Sequence, residues 1–564
     1  MKGWQADDVN SVHWVGDDRL VFDVVFRNQY AGGLFSVKAG SRRFEVLNKF
    51  DALRVIDPVP SDENVVLTRL YSTSRGGPRT VRYFTKRGIG RVVKSAESLP
   101  GTQLGWYGDG GGDLIGCRVY HDGKLRLYFR ETYESEWREL KRVSEDVGQS
   151  FEVLGFDPHE RTFWMTAYED GANTASLFKV PVDPGSETIR VFNDPKYDIR
   201  DNAGLLRSKA TGQVVGMAYD QKGPTNIWFT EEFDMLQASI DQAFPTSENT
   251  IVDFSKGKER LLIHSYSDRS PVSYRVVDIA SKNIIFEAHS REWIDSAELH
   301  TQFSLNLKMR DGLVLQGYLT LPGAPDAGPY PMVALVHGGP WSRDTWGYDP
   351  IVQLLASRGY AVLQLNFRGS SGYGKTISQK YSGDFRDMVL DVTDATRQIC
   401  ERGWADPERL AIMGASFGGY AALAAQVFDP GLFQCSISYA GVFDVAEQIE
   451  NWGDGFWRKR QGTYAYDYWV KRLGDPEKDA ALIEELCPIS NASSIQVPVF
   501  LAHGRLDRVV DIEQTKDMAR ALTQAGNKPR TLYLSAEQHG VSSMKNRKKY
   551  YDAVLDFLAE HLAE

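Results

Sequence analysis

The sequence predicts two classes of structure in one chain: an all-β domain of propeller type over residues 1–300 and a doubly wound, mostly parallel α/β domain over residues 301–564. Length is the first reason, since 564 residues exceed the roughly 250 to 300 at which a single core stops growing. The second is a change of hydrophobic period near residue 300, from short alternating runs to continuous apolar runs separated by helical patterns. The third is repetition: the alternating runs group into similar units of about 40 to 50 residues, the spacing of four-stranded propeller blades.

In chain order the alternating runs include RLVFDVVF, GLFSVKA, NVVLTRLY, TVRYFTK, DLIGCRVY, LRLYFRE, TFWMTAY, SLFKVPV, VVGMAYD, LLIHSYS and SYRVVDI, broken by Gly, Asp and Asn. Apolar residues on alternate positions, bounded by turn formers, fit antiparallel strands rather than helices. Cuts near Val12, Leu53, Gln103, Phe151, Ala203 and Ile251 give six countable units. A β-sandwich is the rival reading, but so long a succession of strands exceeds what one sandwich usually holds. After the hairpin SLNLKMRDGLVLQGYLTL come PMVALVHGG, AVLQLNFRG, RLAIMGA, CSISYAG, PVFLAHG and TLYLSA, read as strands. Between them lie the helical patterns IVQLLASRGY, MVLDVTDATRQICERG and GYAALAAQVF, and a last helix, KKYYDAVLDFLAEHL, closes the chain. Continuous apolar strands between helices require a parallel sheet covered on both faces.

Composition excludes several classes. A net charge of −10 argues against nucleic acid, which is bound through clustered cations; Lys545, Arg547, Lys548 and Lys549 read as the solvated face of the last helix. Cys117, Cys400, Cys435 and Cys487 stand far apart, with no CxxC pair, and read as buried free thiols, so neither a metal site nor a cofactor is expected. No basic, then apolar, leader opens the chain and no apolar window is long enough to span a bilayer. The expectation is a cytoplasmic protein as written, exported if a leader precedes this sequence.

The chemistry centres on GASFGG, residues 414–419, directly after the apolar run RLAIM. Small residues on both sides of Ser416 permit the strained strand-to-helix turn that presents a nucleophile, the elbow of an α/β-hydrolase domain. Such a serine needs a base, and the base an acid, in the chain order serine, acid, histidine. His539, in AEQHG just past the strand TLYLSA, fits the base; His561, the other histidine late enough in the chain, reads as a surface residue of the last helix. For the acid, Asp507 closes a three-residue loop after PVFLAHG, at the carboxyl edge of the sheet. Asp511 is the runner-up and fits better as the cap of the helix DIEQTKDMARAL. His503 precedes the acid and reads as a buried structural histidine. The oxyanion donors are assigned to the backbone N–H groups of Phe417 and of Gly339, the latter in HGGP after the third strand.

On RDGLVLQGYLTLP, HGGP with WGYDP, LQLNFRGSSGYGK, GASFGGYAA, AHGRLDRVV and EQHG, residues 300–564 resemble the prolyl oligopeptidase family of serine peptidases, above all its acylaminoacyl-peptidase and dipeptidyl-aminopeptidase branch. The resemblance implies a seven-bladed propeller, where six units are countable here, over an α/β-hydrolase domain with a cavity between them that admits short peptides. Dipeptidyl peptidases of the family hold the substrate's amino terminus with two propeller glutamates; Glu231 and Glu232 are the candidates, and an exposed helical face explains them equally well. In some relatives an arginine lies two residues past the acid; Val509 stands there, beside Arg508, and no substrate-binding role is carried over.

The expected function is hydrolysis of amide bonds in short peptides, as an oligopeptidase or an exopeptidase, through an acyl-enzyme. Its partners are peptide substrates, not nucleic acid or membrane, and homo-oligomerisation is left open. A carboxylesterase is the alternative, because fold and triad do not separate ester from amide. A propeller-type binding protein with a dead hydrolase domain is a third reading, disfavoured because every element of the triad and oxyanion hole is present.

Overall fold

Alternating runs joined by short connections return on themselves, so each amino-terminal run becomes a strand paired with its predecessor. In a computed structural model these strands form six small sheets, beginning at Asp7, Leu53, Thr102, Phe151, Gly204 and Glu248, within a few residues of the unit starts read from the sequence. The structure describes residues 7–563 apart from 16–17, 27–31, 42, 50–52, 58–63, 71–78, 86–88, 93–98, 133, 145–149, 170, 201–202, 209, 379, 381–382 and 454–463. Strands follow chain order in every small sheet. The fifth departs from the expected four strands and has three among the described residues, Gly204–Arg207, Val214–Asp220 and Pro224–Trp228.

The chain divides into two compact units, one comprising Met1–Tyr168, Leu177–Phe192 and Trp452–Asp467, the other Glu169–Ser176, Asn193–Asn451 and Tyr468–Glu564. Within the first, period-two geometry lets one strand serve two cores. Val66 joins Val15, Val21, Leu34 and Leu47 of the first sheet. Its neighbours Val65 and Leu67 turn the other way, onto Trp106, Leu114, Cys117 and Val119 of the third. Ile115 in turn faces the fourth sheet through Phe163, Met165 and Phe178. Successive sheets are therefore stacked face to face. In the second unit, helix Glu231–Ala243 fills the layer between the fifth and sixth sheets, with Phe233 and Ile240 against Trp228, Ile251, Phe254 and Ile263.

The second unit also holds an eight-stranded sheet: β1 (Gln302–Lys308), β2 (Val314–Thr320), β3 (Tyr330–Val336), β4 (Ala361–Leu365), β5 (Ala405–Ala415), β6 (Cys435–Tyr439), β7 (Val499–Gly504) and β8 (Arg530–Leu534). Its order is β1-β2-β4-β3-β5-β6-β7-β8, antiparallel at the β1 edge and parallel from β4 to β8. On one face Val333, Met413, Ile437, Phe500 and Ala502 pack against α1 (Pro350–Ala356) and α5 (Met544–His561) through Val352, Leu355, Val554 and Phe557. Residues one step along point to the opposite face, where the Ser436 hydroxyl donates to the Ala422 carbonyl of α3 (Phe417–Phe428) at 2.8 Å. Beside α3 lies α2 (Phe385–Glu401), which buries Phe385, Met388, Val392, Ala395 and Ile399, a stripe at helical spacing. This is the doubly wound arrangement the apolar strands predict. Among the described residues the segment between β6 and β7 also forms three helices that the sequence reading does not identify, Val445–Gly453, Tyr464–Leu473 and Ala480–Glu485. No helix among the described residues is long and apolar enough to cross a membrane. Cys117, Cys435 and Cys487 are buried free thiols and Cys400 is partly exposed.

Candidate active site

Parallel sheets of this kind present their loops, and hence their chemistry, at the carboxyl ends of the strands. At the end of β5 the backbone of Ser416 takes φ 58° and ψ −120°, a conformation that costs an ordinary residue roughly 1–3 kcal/mol. Surrounding packing enforces it. A side chain on Gly414 would stand 2.5 Å from the carbonyl carbon of Gly418, and one on Gly418 would collide with the Val336 carbonyl at the end of β3. Only glycines let strand, turn and helix approach so closely. Backbone bonds complete the turn: Ser416 N–H donates to Tyr439 O at 2.9 Å, and Tyr420 N–H to Ser416 O at 2.9 Å. Ser416 remains partly exposed.

The candidate acid and base follow the ends of β7 and β8, the two strands beyond β6 in the sheet. Asp507, whose side chain is fully buried, accepts at Oδ1 from the N–H groups of Val509 (2.8 Å) and Val510 (3.1 Å). Its Oδ2 lies 2.7 Å from His539 Nδ1 and 3.2 Å from His503 Nε2. Burial alone would raise this carboxyl, but the bonds from His503 and His539 outweigh it and hold the group well below the usual carboxylate range. His539 keeps 27% of its side chain exposed. Its loop is fixed by Glu537, whose buried carboxylate accepts from Ser542 N–H (2.7 Å), Ser542 Oγ (2.9 Å), Ser543 N–H (3.2 Å) and Asn546 Nδ2 (2.7 Å) at the head of α5. The Tyr439 hydroxyl donates to Gln538 O at 3.1 Å from the other side. The fold thus brings Asp507 and His539 into direct contact. No hydrogen bond joins Ser416 to His539, a looseness that unliganded sites of this type commonly show.

The loop after β3 closes on the same point. A side chain on Gly338 would sit 3.2 Å from Ala415 O and 3.5 Å from Ser416 Cβ, so its backbone touches the turn. Gly339 has φ 123°, where an added Cβ would stand 2.7 Å from Trp341 N. Neither the Gly339 nor the Phe417 N–H is taken by another hydrogen bond among the described residues. His337 orients this loop. Its Nδ1 lies 2.8 Å from Gly338 O and its Nε2 3.0 Å from Ser370 Oγ, while the ring stacks on Phe367 with centroids 4.2 Å apart. Burial pulls His337 down to about 4, although an edge of the residue still reaches solvent. Its ring is therefore neutral at pH 7, and Nδ1–H is the donor to the carbonyl.

Elsewhere the sequence readings land as follows. Asp511 caps α4 (Ile512–Gln524), accepting from Glu513 N–H at 3.0 Å, and does not touch His539. His561 packs edge-on against Phe557 at 4.5 Å. Glu231 and Glu232 are exposed on the first turn of their helix, and Glu232 pairs with Lys258 at 2.5 Å. Ser370 and Glu537 escaped sequence reading; Ser370 lies inside the quoted LQLNFRGSSGYGK run, but nothing local to it tells which backbone it will meet.

Residues 346–564 match the prolyl oligopeptidase family. The dipeptidyl aminopeptidase BIII of Pseudoxanthomonas mexicana is 31% identical over 409 residues, covering 70% of this chain and 57% of that protein. The acylamino-acid-releasing enzyme of Homo sapiens is 27% identical over 254 residues, 44% of this chain and 34% of that enzyme. The chain thus spans well under two thirds of the length of these curated relatives. A puromycin-hydrolyzing peptidase of Mycobacterium tuberculosis superimposes with a TM-score of 0.72 at 20% identity, covering 98% of this chain and 88% of that one, a likeness of fold.

Proposed function

We propose that this chain, a member of the prolyl oligopeptidase family through residues 346–564, is a serine peptidase that cleaves short peptides through an acyl-enzyme on Ser416. The observation that carries the reading is the 2.7 Å contact between Asp507 Oδ2 and His539 Nδ1 beside a strained strand-to-helix serine. In this mechanism His539 Nε2 takes the Ser416 proton as Oγ attacks the scissile carbonyl carbon. Asp507 holds Nδ1–H and stabilises the imidazolium. The oxyanion is received by the Gly339 and Phe417 N–H groups, worth about 10²–10³ in rate for one donor. His539 then gives its proton to the leaving amine, and water, activated by the same ring, releases the acyl group. The names of the relatives, a dipeptidyl aminopeptidase and an acylamino-acid-releasing enzyme, support short peptides over esters as substrates. We also take the six small meanders as blades of a propeller.

Replacing Ser416 by Ala is expected to abolish fluorophosphonate labelling and lower turnover by about 10⁴ or more with the fold unchanged. Substrate class is tested by comparing kcat/KM for dipeptidyl and aminoacyl anilides, short acyl esters and casein on the intact chain. Preference for the esters would sink the peptidase reading, and ready digestion of casein would sink the restriction to short peptides.

A further inference from the structure

We infer that His503 is a positioning residue for this reaction, a second histidine on the catalytic carboxylate that sets the basicity of His539; the inference rests on the triad reading above. His503 ends β7 with no exposed surface, four residues before Asp507. Two oxygens converge on its Nε2, Asp507 Oδ2 at 3.2 Å and Val510 O at 3.2 Å. Facing two acceptors, Nε2 must carry a hydrogen, for a lone pair there would meet only repulsion. On the far side of the ring Nδ1 lies 2.6 Å from the hydroxyl of Thr515, itself buried on α4. A line of contacts therefore runs Thr515, His503, Asp507, His539, and His503 and His539 share one oxygen of the acid.

Sharing has a consequence with a definite sign. Each donor on a carboxylate draws off part of its charge, so the N–H of His503 leaves less of it for His539. With that N–H removed, Asp507 stabilises the His539 imidazolium more strongly. His539 must be neutral to take the serine proton, so the acid limb of kcat/KM should move to higher pH. The other groups facing this pair are fixed. Tyr439 lies 6.5 Å from the His503 ring with its phenol pushed far up by burial, then by Asp507 and Glu537. The Glu537 carboxylate is taken by Ser542, Ser543 and Asn546. On the connecting loop Arg505 lies over the Tyr533 ring, 5.6 Å from its centroid, Arg508 is adjacent to Asp507 in sequence, and Asp511 caps α4.

The test measures kcat/KM against pH for an anilide substrate with the intact chain and three variants. His503→Leu, which keeps bulk and loses the donor, should shift the acid limb upward by about 0.5 pH units, a fraction of one hydrogen bond. Thr515→Val should shift it in the same direction by less, and His503→Gln, which keeps an N–H donor, should leave it near the wild-type position. An unmoved or lowered limb in His503→Leu overturns the inference; should that variant not fold, the same outcome in Thr515→Val overturns it. An equal shift in His503→Gln also overturns it, because lost packing would then be the cause. Fluorophosphonate labelling separates the two levels: a wild type that is not labelled removes the triad and this inference together, whereas a labelled enzyme with an unmoved limb removes only the role of His503.

Discussion

Asp194, which in chain order falls after the fourth small sheet and before the fifth, and Asp507, after β7, are both enclosed carboxylates with four hydrogen-bond donors. Asp194 accepts from the N–H groups of Lys196 (2.8 Å) and Tyr197 (3.0 Å), from the Tyr219 hydroxyl (2.8 Å) and from Gln221 Nε2 (2.9 Å). In each case burial raises the carboxyl and the donors outweigh it, leaving it below its ordinary value. The difference lies in the donors. Around Asp194 they are amides and a phenol that burial and Asp194 itself hold protonated, so the charge goes no further. Around Asp507 two are imidazoles, and one of them, His539, reaches solvent with its remaining nitrogen free to take a proton. A satisfied buried charge stabilises a fold; the same charge beside a partly exposed base can serve a reaction.

Exchanging each acid for its amide should separate these roles by the largest margin. In Asp507→Asn the amide N–H₂ faces Nδ1, the wrong histidine tautomer is favoured, and turnover is expected to fall by about 10⁴. In Asp194→Asn two of the same contacts become donor against donor, at a cost of about 1–3 kcal/mol in stability, with turnover per folded molecule unchanged. Anilide hydrolysis together with thermal unfolding reads both. Equal losses of turnover in the two folded variants would break the comparison.

The pH dependence of stability sharpens it at the loop after β3. His337 has its folded value lowered from 6.5 to about 4, so between those limits the unfolded chain binds a proton that the native loop refuses. The contribution is fully present above pH 6.5, is lost as pH falls, and is gone near pH 4. Urea unfolding should show this loss, about 3 kcal/mol for a displacement of roughly two and a half pH units, removed in His337→Asn. A variant that loses stability across the same window as fully as the wild type would show that His337 does not carry the effect.

Much of the candidate site is legible in the chain because its parts are local. GASFGG signals the elbow by steric need alone, and Asp507 and His539 each follow an apolar strand within a few residues. The starts of the small sheets were legible for the same reason, since period and turn residues are neighbours in sequence. What stayed hidden depends on distant segments. Ser370 reaches His337 across 33 residues, Glu537 grips residues that look like an ordinary helix start, and His503 could be seen to be buried but not to share Asp507. In each case the sequence carries the donor, and only the fold carries the acceptor's position. The helix Glu231–Ala243 illustrates the converse: its acidic first turn is explained by the helix N-terminus and Lys258, so a motif that resembled a substrate clamp has a sufficient local cause.

The smallest expected effect concerns the other carboxylate of the same loop. Asp511 stands four residues past Asp507, yet its Oδ1 is committed to the Glu513 N–H and its helix start, on the backbone rather than on an imidazole. Asparagine caps a helix about as well as aspartate, so Asp511→Asn should lose only the interaction of a charge with the helix terminus, less than about 0.5 kcal/mol. Turnover should be unchanged, as should the position of the acid limb, because no donor on Asp507 or His539 is altered. Thermal unfolding and the anilide assay measure both. If instead turnover falls by 10² or more, comparable to losing an oxyanion donor, the proton inventory of the site runs through Asp511, and the contact between Asp507 and His539 would be a structural bond like those around Asp194.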